Sequence, residues 1–317
     1  MFRLLKLAAA CAALSIISTP IFAAEIQLKV ASTSKQIIDN LPLYVADHAG
    51  LFAKQGLKVE VSHFRGGGEV VRAVAGGGAD VGMVATSAGI IAIGRGEPLR
   101  IVSAWTAPAY GIVWIVPKDS PIKSVAELAG KQVGISRPGS VSHTGLLAAL
   151  KAAKIENNVS IVPVGGPGDS WSAVKTGRVS ASWHTAPDVY SLVDNGHARI
   201  LFQISDYLSA YQQGALIAET KTIKDKADTL KKFLTAIKEA NALIASLPDK
   251  AAEFGATSMD VPAKLVLETL QAAPKGFFTV GAPTKDNLAG SIDEAKATGA
   301  LKTIPSYGVL VNTSVLP

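Results

Sequence analysis

The chain has 317 residues, 48% of them hydrophobic and 18% charged, with a formal net charge of +6. This length and apolar content are sufficient to bury the core of one or two domains. The lysines and arginines form no basic run, which argues against a nucleic-acid-binding surface, while a mild positive excess is compatible with small anionic ligands.

The first 24 residues have the pattern of a secretory signal peptide. Arg3 and Lys6 precede an apolar run over residues 7–17, and residues 20–24 end it with small side chains near the expected cut. The run is shorter than the ~20 apolar residues of a membrane span. We expect cleavage after Ala23, so that residues 1–23 are removed and the rest of the chain is exported to the periplasm.

The single cysteine, Cys11, falls inside this leader. A lipoprotein anchor at Cys11 would leave almost no apolar segment before the cut, so we interpret it as part of the discarded peptide. The remaining sequence has no thiol, which excludes disulfides, thiolate nucleophiles and thiolate metal ligands. No two of the five histidines have zinc-ligand spacing, so neither a metal nor a cofactor is expected.

After the leader, short β-rich runs alternate with helical patterns, which is typical of an α/β fold. The predicted strands are residues 26–31, 57–64, 80–84, 99–105, 110–117, 132–135, 160–164, 181–183, 198–203 and 213–218. The predicted helices are residues 42–53, 69–75, 87–93, 125–128, 140–153, 170–175, 187–194, 225–246, 248–256, 262–271 and 284–298. The pattern after residue 218 is helical, with no further long strand.

One arrangement of Gly-rich turn, helix, glycine and short strand occurs twice. Residues 66–81 have it, and residues 165–181 repeat it about 100 positions later. The repeat predicts two similar α/β lobes. The chain crosses between them near residues 110–117 and again near residues 211–218, and two crossings make a hinge about which lobes close on a ligand.

Three stretches carry a resemblance to a known family. They are residues 42–57 (Pro-Leu-Tyr-Val-Ala followed by Gly-Leu-Phe-Ala-Lys-Gln-Gly-Leu), residues 76–82 and residues 130–134. In this order and spacing they resemble the periplasmic substrate-binding proteins of ABC importers, in the branch that handles sulfonates, taurine, nitrate and thiamine-precursor pyrimidines. The family often has a Trp-Glu-Pro-like segment where residues 183–187 read Trp-His-Thr-Ala-Pro, so the ligand's identity does not transfer directly.

The resemblance implies a two-lobed type II periplasmic binding protein fold with a double-crossover hinge. We expect the first lobe to comprise residues 24–112 and a mostly helical second part, residues 214–317. The second lobe comprises residues 113–213. The partners implied are a small organic anion, an alkyl or aryl sulfonate first of all, and a membrane ABC permease, with no nucleic acid and a monomeric chain.

The candidate site follows from where ligands bind in open α/β sheets, at the carboxyl ends of the strands. Helix N-termini at that edge offer free N–H groups and a positive dipole end to an anion. Hydroxyl-rich junctions occur there, and tryptophans near strand ends suit an alkyl or aromatic tail. The residues expected to contact ligand are Ser32, Ser34, Gly67, Thr86, Ser87, Trp105, Gly139, Ser140, Ser142, His143, Trp183 and Thr185.

Ordinary capping or packing remains the alternative for each of these residues. Arg65 and Arg137 stand beside them, either as counter-ions or as solvated surface groups. Tyr110 and Tyr211 lie near the crossings, where they can close the crevice, and Trp114 is expected in the core. Trp171 also falls near a helix start.

Other functions fit the sequence less well. An aromatic carboxylate or an aminopyrimidine would bind to the same fold. Pyrimidine-precursor synthases share it too, but they resemble a Cys-rich iron-binding type, and this sequence lacks cysteine after the leader. No G-x-S-x-G elbow is present, so hydrolase chemistry is not expected. A sensor that serves a membrane receptor kinase would use the same binding physics as a transport receptor.

Overall fold

The computed structural model describes residues 25–138, 140–208, 210–297, 299–301 and 303–317. The expected signal peptide, its cleavage site and Cys11 lie outside these residues. The described strands are β1 Ile26–Ser32, β2 Leu57–His63, β3 Val81–Ala85, β4 Leu99–Thr106, β5 Ile112–Pro117, β6 Gln132–Ile135, β7 Ser160–Pro163, β8 Ala181–Thr185, β9 Ala198–Gln203, β10 Gly214–Glu219 and β11 Phe278–Gly281.

Helices alternate with these strands and then dominate the C-terminal part. They are α1 Leu41–His48, α2 Leu51–Lys54, α3 Gly67–Ala75, α4 Thr86–Gly94, α5 Val141–Ala152, α6 Pro167–Lys175, α7 Asp188–Asp194, α8 Thr220–Asp225, α9 Ala227–Ser246, α10 Pro248–Met259, α11 Ala263–Ala272, α12 Lys285–Ala297 and α13 Tyr307–Leu310. Short 3-10 helices occupy Ile38–Asn40, Val125–Leu128 and Ile204–Asp206. The α/β fold expected from the sequence is confirmed.

Two mixed sheets share one topology. The first has the strand order β11-β4-β10-β3-β1-β2, and the second has the order β7-β6-β8-β5-β9. In the first, β1 runs parallel to β2 and β3, and β10 inserts antiparallel between β3 and β4. In the second, β6 runs parallel to β7 and β8, and β5 inserts antiparallel between β8 and β9. Each inserted strand follows a crossing from the other sheet.

Helices cover both faces of the first sheet. One face packs mainly on α1, α9 and α10, with the stacked pair Phe52 and Phe233 at a ring-centroid distance of 5.6 Å. The other face packs on α3, α4 and α12. The second sheet has its own core, in which Trp114 is fully buried and stacks on Phe202 at 4.7 Å. Trp114 is therefore a core residue, as the sequence predicts.

The structure departs from the predicted elements in several places. The helix expected over residues 42–53 breaks into α1 and α2, because Gly50 adopts φ +68°, a left-handed conformation that favours glycine. The helix expected over residues 225–246 begins earlier, as α8, and restarts at Ala227. Strand β11 was not expected, since its four residues are too few for a periodic signal.

None of the helices in the described part of the chain combines the length and the apolar composition that crossing a membrane requires.

Candidate functional site

A cleft of about 800 Å³ lies between the two sheets. It opens where the strands of both end, beside Ser32, Ala85 and Trp105 of the first and beside Ser136 and Thr185 of the second. Ligand pockets commonly have volumes of roughly 300–1,000 Å³. The lining comes from both halves, so a molecule in this cleft touches residues on either side of the hinge.

A second cavity, of about 350 Å³, opens beside Tyr44 and Phe52. All its lining residues belong to the first sheet and its helices. A ligand there would not bridge the halves, so the cleft between the sheets is the stronger candidate.

At the mouth of the cleft, an arginine of the second half lies on a glycine of the first. A Cβ atom built on Gly66 would fall 1.3 Å from Nη2 of Arg137. Gly66 precedes α3, whose N-terminus carries its positive dipole end. The N–H groups of Glu69 and Val70 donate to the carbonyl of Gly66 at 3.0 and 3.3 Å, so the N–H groups of Gly67 and Gly68 are the ones that a ligand can use. Arg65 lines the same mouth. A guanidinium group and a helix N-terminus thus meet at Gly66, and a second guanidinium belongs to the same lining, an arrangement suited to an anion.

Three serine hydroxyls form a cluster at the start of α5. Oγ of Ser136 lies 2.8 Å from Oγ of Ser140 and 2.9 Å from Oγ of Ser142, which also accepts the Ser136 N–H at 2.9 Å. Ser140 caps the helix by accepting the His143 N–H at 3.2 Å. The three hydroxyl groups hydrogen-bond to one another. Any one of them can rotate and donate its hydrogen to a ligand oxygen instead.

Aromatic rings supply the apolar walls. The indole N–H of Trp183 donates to the carbonyl of Gly165 at 3.1 Å, which fixes the ring against the second half. The indole N–H of Trp105 donates to the carbonyl of Asp39 at 2.7 Å in the first half. Tyr110 also lines the cleft, and its hydroxyl donates to the carbonyl of Thr269 at 2.7 Å. Because these polar atoms are paired with protein, the ring faces remain for an organic tail.

A carboxylate lies at the floor of the cleft. Asp39 accepts hydrogen bonds from Thr106 Oγ1 at 3.0 Å and from Gln213 Nε2 at 3.1 Å. Burial raises the pKa of Asp39 above its usual range, against the opposing effect of these two hydrogen bonds. The sequence interpretation did not single out this residue. The sequence feature that indicates Asp39 is an acidic residue within an apolar run, in the segment after β1.

Most of the predicted ligand contacts border this cleft. These residues are Ser32, Ser34, Gly67, Trp105, Ser140, Ser142, Trp183 and Thr185. Arg65, Arg137 and Tyr110, whose roles the sequence left open, border it as well. Gly139 lies outside the described residues.

Thr86, Ser87 and His143 do not border the cleft, contrary to expectation. The Thr86 N–H donates to the carbonyl of Gln213 at 3.0 Å, so the start of α4 is covered by the second crossing. Thr86 and Ser87 are fully buried beneath it. His143 is the third residue of α5. Burial lowers the pKa of its imidazole. Trp171 lies in the apolar packing of the second half.

A polar seam joins the halves behind the cleft. Glu294 of α12 is buried and accepts a hydrogen bond from the hydroxyl of Tyr211. Burial raises the pKa of Glu294 to about 7, while the hydrogen bond from Tyr211 opposes the shift. Tyr211 therefore braces the second crossing and does not line the cleft.

Among the described residues, no group of three or more His, Cys, Asp or Glu side chains is arranged to hold a metal ion. The polar groups of the cleft are hydroxyls, amides, guanidinium groups and carboxylates. They can bind and orient a charged organic molecule.

Comparison with known proteins gives three findings. The family model described as NMT1/THI5 like matches residues 38–251. A curated protein of Escherichia coli (strain K12), whose name proposes that it binds aliphatic sulfonates, is 27% identical over 219 residues, which are 68% of this chain and 67% of that protein.

Solved structures show the same fold. The periplasmic aliphatic sulphonate binding protein SsuA from Escherichia coli superposes with a TM-score of 0.77 at 22% identity, covering 90% of this chain and 92% of that one. The alkanesulfonate-binding protein SsuA from Xanthomonas axonopodis pv. citri, bound to MOPS, gives a TM-score of 0.75 at 20% identity, covering 93% and 99%. The two-lobed periplasmic binding protein fold implied by the sequence resemblance is confirmed.

Proposed function

We propose that this chain, which belongs to the NMT1/THI5-like family, is the solute-binding receptor of an ABC importer and binds an organic sulfonate between its two lobes. The proposal is supported by the curated relative that shares 27% identity with it. The family resemblance drawn from the sequence is confirmed. In this role the chain works outside the cytoplasmic membrane and delivers its ligand to a permease.

The convergence of both halves on one cleft is the observation that carries the proposal. Arg137 of the second half lies against Gly66 of the first, at the N-terminus of α3. Neither half presents this arrangement alone. A sulfonate has three oxygens around one sulfur, and it can accept from a guanidinium and from helix N–H groups together.

Binding and closure are then one process. A ligand that contacts both halves stabilises the closed arrangement, in which the halves meet. The stabilisation equals the difference between its binding free energies for the closed and the open arrangement. The two segments between the sheets, residues 107–111 and 204–213, form the hinge. We assign residues 24–112 and 214–317 to the first lobe and residues 113–213 to the second, with a permease recognising the closed form.

We propose that the ligand leaves the cleft unchanged. The cleft offers no nucleophile paired with a base: its serine cluster contains Ser136, Ser140 and Ser142, and no histidine lines the cleft among the described residues. A serine nucleophile needs such a base within hydrogen-bond reach. The chain is further proposed to act as a monomer.

A thermal-shift screen of residues 24–317 tests this function. The panel contains alkyl and aryl sulfonates, nitrate, aromatic carboxylates and aminopyrimidines, in a buffer that contains no sulfonate. Binding to the native state raises the melting temperature by mass action. We expect a rise with a sulfonate, confirmed by calorimetry with full recovery of the unaltered compound. A rise with other classes and none with any sulfonate would contradict the proposal.

A further inference from the structure

The carboxyl group of Asp39 is held in one orientation at the floor of the cleft. Gln213 Oε1 accepts the Tyr110 N–H at 2.7 Å, which turns the amide so that Nε2 points at Asp39. That nitrogen lies 3.2 Å from Oδ1 and 3.1 Å from Oδ2, and Thr106 Oγ1 donates to Oδ2 at 3.0 Å. The carboxyl group therefore cannot turn away from a molecule in the cleft without losing these hydrogen bonds.

The charge of this carboxyl group has no cation beside it. Among the described residues, no Lys, Arg or His forms an ion pair with Asp39. Its donors, a hydroxyl and an amide, are neutral. Burial raises the pKa of Asp39, because these donors offset only part of the cost of burying the charge. When it is ionised, Asp39 is therefore a source of uncompensated negative charge in the cleft.

The positive charge of the cleft lies at its mouth. Among the described residues, the cationic side chains of the lining are Arg65 and Arg137, and both are exposed. At the floor, Trp105 and Gln213 are 2% and 4% exposed, so little water is available to screen the charge of Asp39. A ligand that spans the cleft thus meets guanidinium groups at one end and a carboxylate at the other.

The other titratable groups of the described lining do not change the charge of the floor. Glu69 accepts the Arg65 N–H at 3.1 Å, and Asp169 is exposed to solvent. Burial raises the pKa of the Tyr110 hydroxyl, so this group stays neutral. Asp39 is therefore the residue that sets the charge of the floor.

We propose that Asp39 restricts the cleft to ligands with a single anionic group, because its carboxylate repels a second one at the floor. The sulfonate then lies at the mouth, between Arg137 and the start of α3, and the far end of the ligand carries no second negative charge. This inference rests on the proposed function and deepens it, because it assigns a specificity-determining residue to the same cleft. Selectivity of this kind acts by repulsion of the wrong ligand.

Matched ligand pairs test the inference on the unaltered chain. We would titrate residues 24–317 calorimetrically with alkanesulfonates of two, three and four carbons and with the α,ω-disulfonates of the same lengths. The titrations are made at pH 8 and one ionic strength, in a buffer free of sulfonates. At the length whose monosulfonate binds best, the disulfonate should bind roughly tenfold or more weakly, because like charges repel more strongly where water is scarce.

The substitution Asp39→Asn tests the residue. The asparagine oxygen can still accept from Thr106, but the side chain carries no charge. We expect the affinity for the disulfonate to rise about fivefold or more, while the affinity for the monosulfonate stays within about twofold of the parent value. A gain of affinity cannot come from damage to the fold. The control is Asp47→Asn, which removes the same charge from an exposed position outside the cleft and should change neither affinity.

The outcomes separate this inference from the proposed function. Equal affinities within the pair, or a difference of unchanged size in a folded Asp39→Asn variant, overturn the role of Asp39 and leave a sulfonate receptor. Binding of no sulfonate overturns both.

A change of pH decides the question if Asp39→Asn does not fold. Between pH 8 and pH 5 the difference within the pair should narrow in the unaltered chain, since a second bound anion raises the pKa of Asp39 further and favours its neutral form. Both sulfonates remain ionised over this range. A difference of the same size at both pH values overturns the role of Asp39.

Discussion

The loop after β1 and the loop after β6 hold the same place in their sheets but carry opposite chemistry. At equivalent positions of the two sheets, β1 pairs in parallel with β3 (Val30 with Val81) and β6 pairs in parallel with β8 (Val133 with Ala181). Asp39 and Ser142 lie equally far beyond the ends of these strands. One loop thus presents a carboxyl group and the other a hydroxyl cluster, so a repeated scaffold supplies unlike polar groups to one cleft.

The Gly-rich turns differ in a second way. Gly66 precedes α3 and Gly166 precedes α6, and both helices start at the cleft with an acidic residue in the first turn. A Cβ on Gly66 would meet Arg137, whereas a Cβ on Gly166 would have no described atom within 4 Å. The glycine of the first half is needed for close approach, and that of the second serves the turn.

The largest predicted effect tests the seam between the halves, at Glu294. Its pKa is raised by burial from 4.5 to about 7 in the folded chain. Below pH ~4.5 both states hold the proton, and the stabilisation is fully present; it is lost as the pH rises towards 7, because the unfolded chain releases the proton first. The loss is on the order of 3 kcal/mol.

Urea unfolding at pH 5 and pH 8 measures most of this loss. Glu294→Gln should reduce the fall in stability between those two pH values. Asp293→Asn, on the exposed side of the same helix, is the control and should leave the fall unchanged. An equal fall in the parent chain and in Glu294→Gln would contradict the assignment.

The next effect tests how the repeated sheets pack. The paired positions are Ala31 with Gly82 in the first sheet and Gly134 with Ser182 in the second, so each pair has one glycine. A Cβ on Gly134 would fall 2.0 Å from Ser182 Oγ. Gly134→Ala should lower the free energy of unfolding by roughly 1–3 kcal/mol through overpacking.

Adding Ser182→Gly to Gly134→Ala should restore more than half of that loss. Ser170 loses one contact but still donates to the carbonyl of Trp183. A double-mutant cycle from denaturant unfolding gives the coupling. Additive losses in the double variant would show that the two positions do not compensate.

A smaller effect tests the difference between the two Gly-rich turns. Gly66→Ala should displace the guanidinium of Arg137 and weaken sulfonate binding about tenfold, the equivalent of ~1.4 kcal/mol. Gly166→Ala is the matched control and should bind with unchanged affinity. Calorimetry on both variants makes the comparison, and equal losses would mean that Arg137 contributes nothing specific.

The smallest effect concerns the hydroxyl cluster. Ser142→Ala removes an acceptor of the Ser136 N–H and one hydroxyl of the cleft lining. Sulfonate affinity should fall by about 1 kcal/mol. Thr86→Ala, buried away from the cleft, should leave affinity unchanged. A loss of sulfonate affinity in Thr86→Ala but not in Ser142→Ala would indicate that the ligand binds at the start of α4.

The strands and the two-lobed topology could be predicted because the Gly-rich turns and short apolar runs repeat along the chain. Thr86 and Ser87 were expected at the ligand because they start a helix at a strand end, but the backbone of Gln213 covers that start. Asp39 was missed because its role depends on Thr106 and Gln213, which are distant in sequence. Local patterns place the cleft edge; long-range packing decides which groups reach it.

The most direct test of the two-sided cleft is a crystal structure of residues 24–317 with the sulfonate that binds best in the thermal-shift screen. The account predicts sulfonate oxygens within hydrogen-bond distance, about 2.7–3.2 Å, of Arg137 and the first N–H groups of α3. A ligand that lies outside the cleft, or that is held by one half alone, would contradict it.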